Sequence, residues 1–306
     1  MLVFLTAFVS GVSTFVNAYA VGVTTSSDAF VTVRNILVAG AFVPVALVAS
    51  RYLRAPKLRG IDWVRLVVIG LIGGAIPFLL FFHGLELATK AGGAVTASFA
   101  YRTLFLFATV FGLVFLSEKF RWWVVLAAGL ILGGNVLLLS LTAPIWTDGT
   151  SYVLAATVLW AAEYTVSKRT LRDLPSATVA LGRMGFGAVF LAGYLAFTAQ
   201  WGVVAGFSGV DWAWIGISAA LLAAFVASWY PGLKRVDLGA ATSVLVLGFP
   251  ITWLLGILVK GSPFTLGEAA GAAVVVAGVC LAVGLAQFKA TGAFLSRLLR
   301  PSTSTT

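Results

Sequence analysis

The chain alternates apolar runs with short polar or charged breaks from end to end. A membrane-spanning helix needs about 20 mostly apolar residues, and ten segments meet that requirement: Leu2–Val21, Phe30–Ala49, Trp63–Phe82, Gly92–Leu116, Trp122–Leu141, Ser151–Ser167, Ala177–Phe197, Trp212–Tyr230, Ala240–Val259 and Ala269–Ala286. Each break has a physical cause. Thr24 to Asp28 is polar, Arg51 to Arg59 is basic and holds Pro56, Pro144 and Asp148-Gly149 end the fifth segment, Asp173 and Pro175 separate the sixth from the seventh, and Pro231 with Lys234-Arg235 follows the eighth. The pattern predicts an all-α polytopic membrane protein with ten transmembrane helices.

Composition agrees. Hydrophobic residues make up 60% of the 306 positions and charged residues only 10%, against about one-quarter charged in a soluble domain. Lipid must therefore be the solvent for most of the surface. The single Cys280 excludes a disulfide framework, and the single His83 argues against a His-ligated metal or a Ser-His-Asp site. No cofactor and no metal is expected.

The net charge of +10 raises nucleic acid as a partner, but the positions of the charges answer otherwise. With loops assigned alternately to two sides, one side holds Arg51, Arg54, Lys57, Arg59, Arg65, Lys119, Arg121, Lys168, Arg169, Arg172, Lys234, Arg235, Lys289, Arg297 and Arg300. The other holds Lys90 and Lys260. The positive-inside rule then places both termini in the cytoplasm of a cell-membrane protein, and dispersed short loops form no basic stripe for nucleic acid. Trp63, Trp122 and Trp123 fall at inner boundaries and Trp146, Trp201, Trp212 and Trp214 near outer ones, as interfacial rings do. Ala18-Tyr19-Ala20 resembles a signal-peptidase site, but no Lys or Arg precedes Arg34.

The two halves repeat. A shift of about 149 sets Asp62-Trp63 on Asp211-Trp212 and Arg34 on Arg183, and Gly84-Leu85 meets Gly232-Leu233 at a shift one smaller. The stretch Gly92 to Leu139, an apolar helix, a charged turn and a Gly-rich helix, returns more weakly over Ala240–Gly284, where setting Ser262 on Glu118 brings Gly278 onto Gly134. Five spans is an odd number, so the second copy enters the membrane from the opposite side. The expected repeats are inverted, residues 3–141 and 151–286, followed by a cytoplasmic amphipathic and disordered tail over 287–306. Secondary transporters use this architecture, because exchanging the conformations of the repeats exchanges inward-open and outward-open states.

These features together resemble the drug/metabolite transporter superfamily, its EamA-like family in particular. The likeness is carried by the two repeats, the Arg that opens spans two and seven, and the closing pattern at Leu116-Ser117-Glu118 with Gly134 and at Pro263-Phe264-Thr265-Leu266 with Gly271 and Gly278. The sequence departs from the family at Ser262, where Glu is usual, and near Arg102–Phe105, where a Pro like Pro250 would be expected. The resemblance implies a cavity lined by spans one to four and six to nine, with spans five and ten peripheral.

Ionisable residues inside a membrane are costly and face a cavity or a partner. Arg102 sits about 11 residues, or ~16 Å, into span four, near the midplane. Glu163, the one acid at similar depth, belongs to the other repeat, and the two are expected to face one central cavity. Arg34 and Arg183 lie at mirror depths. Together they point to a site for a carboxylate or other anion; a structural ion pair between Arg102 and Glu163, with Arg34 and Arg183 bracing helix ends, is the alternative. Tyr101, Trp160, Tyr164 and Trp253 are candidates for stacking or cation–π contact, and Asn17 and Tyr19 for polar contacts. Asn135 falls on a span expected to be peripheral. His83 and Glu86 share a helix face at an outer end. Gly129-x-x-x-Gly133 and Gly267-x-x-x-Gly271 permit close helix approach, which leaves internal packing and a homodimer contact both open.

No nucleotide-binding Gly-Lys-Ser/Thr loop, no Gly-x-Ser-x-Gly and no His-Glu-x-x-His occurs in the chain, so neither ATP hydrolysis nor another enzyme activity is expected. The sequence reads as a secondary active transporter, an exporter, of a small polar or anionic metabolite such as an amino acid or organic acid. A lipid flippase and a non-transporting receptor or assembly subunit are the rivals. The partners expected are the small-molecule substrate and membrane lipid.

Overall fold

The computed structural model describes residues 1–23, 26–52 and 58–284. Among them are fourteen helices and no strand. The first half contributes α1 (Leu2–Val23), α2 (Ser27–Tyr52), α3 (Gly60–Gly74), α4 (Ile76–Lys90), α5 (Ala94–Arg102), α6 (Leu104–Leu116) and α7 (Trp122–Leu138). The second contributes α8 (Asp148–Thr170), α9 (Ser176–Phe197), the short α10 (Trp201–Ala205), α11 (Gly209–Arg235), α12 (Leu238–Leu245), α13 (Gly248–Lys260) and α14 (Leu266–Val283). Six stretches are long and apolar enough to cross a membrane: α3 with α4, α5 with α6, α9, α11, α12 with α13, and α14. Leu2–Ala18 of α1 and α7 are shorter apolar helices. The long helices α2 and α8 carry the buried charges Arg34 and Glu163. The tail expected over 287–306 lies outside the described residues, as does most of the basic loop between α2 and α3.

Three segments expected to be continuous are broken. The third divides at Ala75 because Pro77 has no N–H and its ring excludes the carbonyl four residues back, that of Gly73. The fourth divides at Thr103, whose hydroxyl donates to Ala100 O at 2.6 Å, and the ninth at Val246-Leu247, just ahead of Pro250. The eighth runs as one helix through Pro231.

Matched positions of the two halves do the same local work. Asp62 and Asp211 each sit at the third position of a helix and accept from the backbone N–H before it, Arg59 N at 3.0 Å and Ser208 N at 2.8 Å, which satisfies a donor the helix leaves open. The turns after α6 and α13 share one backbone form. Ser117 and Gly261 adopt left-handed φ of 57° and 65°, and the next residue closes the helix by donating six residues back, Glu118 N to Gly112 O and Ser262 N to Gly256 O.

Packing is almost entirely between the halves, and it maps onto itself when they are exchanged. The contact of α1 with α11 mirrors that of α8 with α3 and α4, and the contact of α1 with α13 mirrors that of α8 with α6. The pairs α3–α9 and α2–α11 mirror each other, while α2–α9 and α7–α14 are self-mirrored. Gly84 lets α4 close on Gly149 and Tyr152, and Gly232 lets α11 close on Leu2 and Val3. The α7–α14 pair forms through Gly134 against Gly271 and Gly278 against Ile131, so the second glycine of Gly267-x-x-x-Gly271 serves internal packing. Gly129, Gly133 and Gly267 meet no other element.

Cross-links divide the loops into two ends. At one end Arg65 pairs with Asp173 at 2.8 Å, Lys168 donates to Leu233 O and Val236 O, Lys234 to Leu174 O, and Arg172 to Leu116 O. At the other, Ser26 donates to Gln200, Tyr194 to Asp28, and Ile145 N to Thr96. Every one of these links joins loops that the charge pattern assigns to the same side.

Candidate functional site

Pro77 prepares the site. Its break leaves the carbonyl of Gly73 without its helical donor, and in an apolar interior such a group must find another. Trp160 Nε1 donates to it at 3.2 Å and Arg183 Nη2 at 3.1 Å. The neighbouring Gly74 carbonyl accepts Asn35 Nδ2 at 3.2 Å. One broken turn of α3–α4 thus anchors groups from α2, α8 and α9. Gly73 is required here by Glu163, since a Cβ on it would fall 2.7 Å from the Glu163 Cδ.

Beside this anchor lies a cavity of about 490 Å³. Its wall draws on α1, α2, α4, α5, α8, α9, α11 and α13 and on neither α7 nor α14, the distribution implied for spans one to four and six to nine. Three guanidinium groups reach it: Arg34, Arg102 and Arg183. Arg34 and Arg183 share the ring of Phe78, at 5.1 and 6.0 Å from its centroid. Arg102 lies 4.3 Å over the ring of Phe249, its Nη1 donating to Asn135 Oδ1 at 2.8 Å. Between these two cationic positions the aromatic rings are continuous, edge to face, from Phe78 to Trp160 at 5.4 Å, Trp160 to Tyr101 at 5.6 Å and Tyr101 to Phe249 at 5.8 Å.

The charges are compensated unequally. Arg183 Nε lies 3.7 Å from Glu163 Oε2, both side chains fully buried. Glu163 Oε1 accepts from the hydroxyls of Ser167 and Tyr230. Arg34 has a neutral neighbour, Asn35 Oδ1, at 3.5 Å, and Arg102 has Asn135. The Nε atoms of Arg34 and Arg102 and Nη1 of Arg183 are buried without a hydrogen-bond partner.

Two expectations require correction. Glu163 does not share the cavity with Arg102: it stands behind Arg183 and is held by α9 and α11, because its helix turns it toward the Gly73 notch. Trp253 is off the cavity too. It packs edge-to-face on Phe264 and donates to Glu268 at 3.4 Å, joining α13 to the start of α14. Asn135, although on a peripheral helix, points inward and is fully buried against Arg102. Tyr101, Trp160 and Tyr164 line the cavity, as does Asn17, whose amide accepts from Ser218 Oγ at 2.6 Å. The side chain of Tyr19 lies outside the described residues. Glu86 pairs with Lys90 at 2.6 Å and His83 packs on Tyr152. Sequence reasoning missed Ser10, Ser13, Phe78, Phe81, Ser98 and Phe249. The one available signal was Pro77, which marks where a helix opens its backbone beside Phe78.

Several membrane-length apolar helices around a cation-rich cavity define a multi-pass helical membrane protein. A model of the EamA-like transporter family matches it twice, over residues 1–140 and 148–284, so the chain belongs to that family and is a membrane transporter of the drug/metabolite type. Among curated proteins none matches it significantly. A crystal structure described only as that of a protein superposes with a TM-score of 0.70 over 93% of this chain and 97% of its own, at 21% identity, a likeness that shows the fold.

Proposed function

We propose that the chain crosses the membrane ten times, five per repeat, and carries a small organic anion by alternating access about a two-fold axis in the membrane plane. Both termini face the cytoplasm. The substrate anion binds at Arg34, Arg102 and Arg183.

One observation carries this reading: the exchange of the halves fails where α6 meets α12. At the basic end α6 packs along α12, and α8 reaches α12 as well. The mirror pair, α13 with α5, makes no comparable backbone approach and meets through Phe249 against Tyr101 and Arg102. The cavity wall takes residues from α1, α5 and α13 and none from α6 or α12. The fold is therefore zipped at the basic end and parted at the other, which is the outward-open half of an alternating cycle. Closing α5 on α13 while α6 leaves α12 would generate the other half.

Glu118 fastens the zipped end. Its carboxylate accepts the backbone N–H groups of Leu238 and Gly239, the open donors at the start of α12.

The test is flux of radiolabelled organic acids into vesicles containing only this protein, with unlabelled acid inside. Wild type should exchange label, and Arg102→Gln should abolish exchange while remaining monodisperse. Normal exchange by Arg102→Gln would refute the anion site. An unfolded Arg102→Gln would make that residue structural, and Arg102→Lys separates the cases, because Lys cannot reproduce the guanidinium fork.

A further inference from the structure

We infer that the cavity selects organic carboxylates that have an aromatic or otherwise flat apolar body and carry no ammonium group, so that α-amino acids are excluded. The inference rests on the transporter reading only in taking this cavity as the substrate site.

The repeat itself shows why. The shift that sets Arg34 on Arg183 also sets Thr14 on Glu163, since 183 − 34 and 163 − 14 both equal 149. In the second half the guanidinium has its carboxylate. In the first half the matched position holds no acid: Thr14 lines the cavity and donates to Ser10 O at 2.9 Å. Arg34 is left buried with no acid beside it, its Nε unpartnered. Arg102 is in the same position at the far end of the aromatic wall. Buried cations without counter-charge are costly, and an anionic guest supplies what the protein omits.

An ammonium finds nothing equivalent. No Asp or Glu is among the lining residues. Among the described residues the acid beside this wall is Glu163, and it is engaged by Arg183, Ser167 and Tyr230. The Asn17 carbonyl is already taken by Ser218. The rings of Phe78 and Phe249, which could otherwise attract a cation, lie under guanidinium groups. In an α-amino acid the ammonium sits two bonds from the carboxylate carbon, so it cannot leave the cationic region that the carboxylate requires. The rings from Phe78 to Phe249 offer a flat guest apolar contact along its length.

Three ligands of one shape test this on the purified, reconstituted full-length protein: 3-phenylpropanoate, phenylalanine and phenethylammonium, with binding followed calorimetrically. Propanoate serves as the headgroup without the body. The expected result is 3-phenylpropanoate binding at least about 100-fold more tightly than phenylalanine, because like-charge juxtaposition is heavily penalised. Phenethylammonium should not bind, and propanoate should bind weakly. Phe249→Leu should weaken 3-phenylpropanoate by a larger factor than it weakens propanoate. Equal or tighter binding of phenylalanine overturns the inference, as does binding of none of the four. Flux measured in parallel separates the failures: exchange of amino acids leaves the transporter reading intact and removes only the selectivity, whereas no flux of any organic acid or amino acid removes both.

Discussion

Replacing Glu118 with Ala should open the basic end of the molecule. In the zipped arrangement its carboxylate accepts Leu238 N and, at 3.3 Å, Gly239 N, and it also faces the positive end of α12. Hydrogen bonds to a charged group contribute about 1.5–3 kcal/mol each, the helix terminus about 0.3–1 kcal/mol more. Glu118 is partly exposed and one of its bonds is long, so solvent screening reduces the net loss below the sum of these contributions, to about 2 kcal/mol. These contacts exist only while α6 lies on α12. The loss therefore falls on one state, and about 2 kcal/mol shifts a two-state balance roughly 30-fold toward the inward-open form. The assay is thiol labelling of a cysteine placed at Ser98 on the cavity wall, in a background where Cys280 is replaced by Ser, with membrane-impermeant reagent added from either side. Wild type should label from outside. Glu118→Ala should label less from outside and more from the cytoplasmic side, and Glu118→Gln, which keeps one acceptor oxygen, should fall between them. Unchanged labelling in Glu118→Ala, with the protein folded and monodisperse, would refute the latch.

The Arg183–Glu163 pair should behave as a structural unit: Glu163→Gln or Arg183→Gln alone, each leaving one buried charge uncompensated, should cost about 3–5 kcal/mol in thermal or denaturant unfolding, and the double replacement should recover part of that loss. Gly134→Leu should destabilise the protein by about 1–3 kcal/mol through overpacking, because its Cβ would fall 2.7 Å from Val275 N and 2.8 Å from Gly271 O, whereas Gly129→Leu, with nothing within 4 Å, should unfold as wild type does. Reporter fusions after Ser27, Asp148 and Gly206 should read outside and those after Pro56, Pro175 and Asp237 inside; a reversal at any two would remove the inverted arrangement.

The helical plan was legible because lipid imposes it. In lipid, backbone polar groups are satisfied within helices or closed barrels, and apolar runs of about 20 residues without alternation fit only helices; Pro, Gly and charged turns mark the ends. The grouping of the loops was legible through Lys and Arg alone. What the sequence concealed was pairing. Depth along a helix told that Glu163 and Arg102 lie near the midplane, but azimuth decides partners. Glu163 faces α9 and α11, so its partner is Arg183 and not the Arg102 that the sequence had set against it. Arg102 found Asn135 on α7, a helix whose peripheral position made it an unpromising source of a cavity contact. Hydropathy also cannot see a break within an apolar run. Pro77 declares one, but nothing at Thr103 does.

The departures from internal symmetry carry more information than the symmetry. Glu118 and Ser262 end equivalent turns with the same left-handed residue and the same six-back hydrogen bond, yet only Glu118 can reach across to cap the opposing helix, and only its end of the molecule is zipped. Glu163 and Thr14 stand at matched positions of the two halves, yet of the matched arginines only Arg183 has a carboxylate beside it. Glu at both matched pairs of positions would latch both ends alike and would give Arg34 a carboxylate as Arg183 has one. A transporter needs its two end states close in energy but not identical in the contacts that hold them, and it needs a site whose charge the protein itself does not cancel. Two substitutions between the halves, a serine for a glutamate at the rim and a threonine for a glutamate at the centre, supply the first and the second of these in turn.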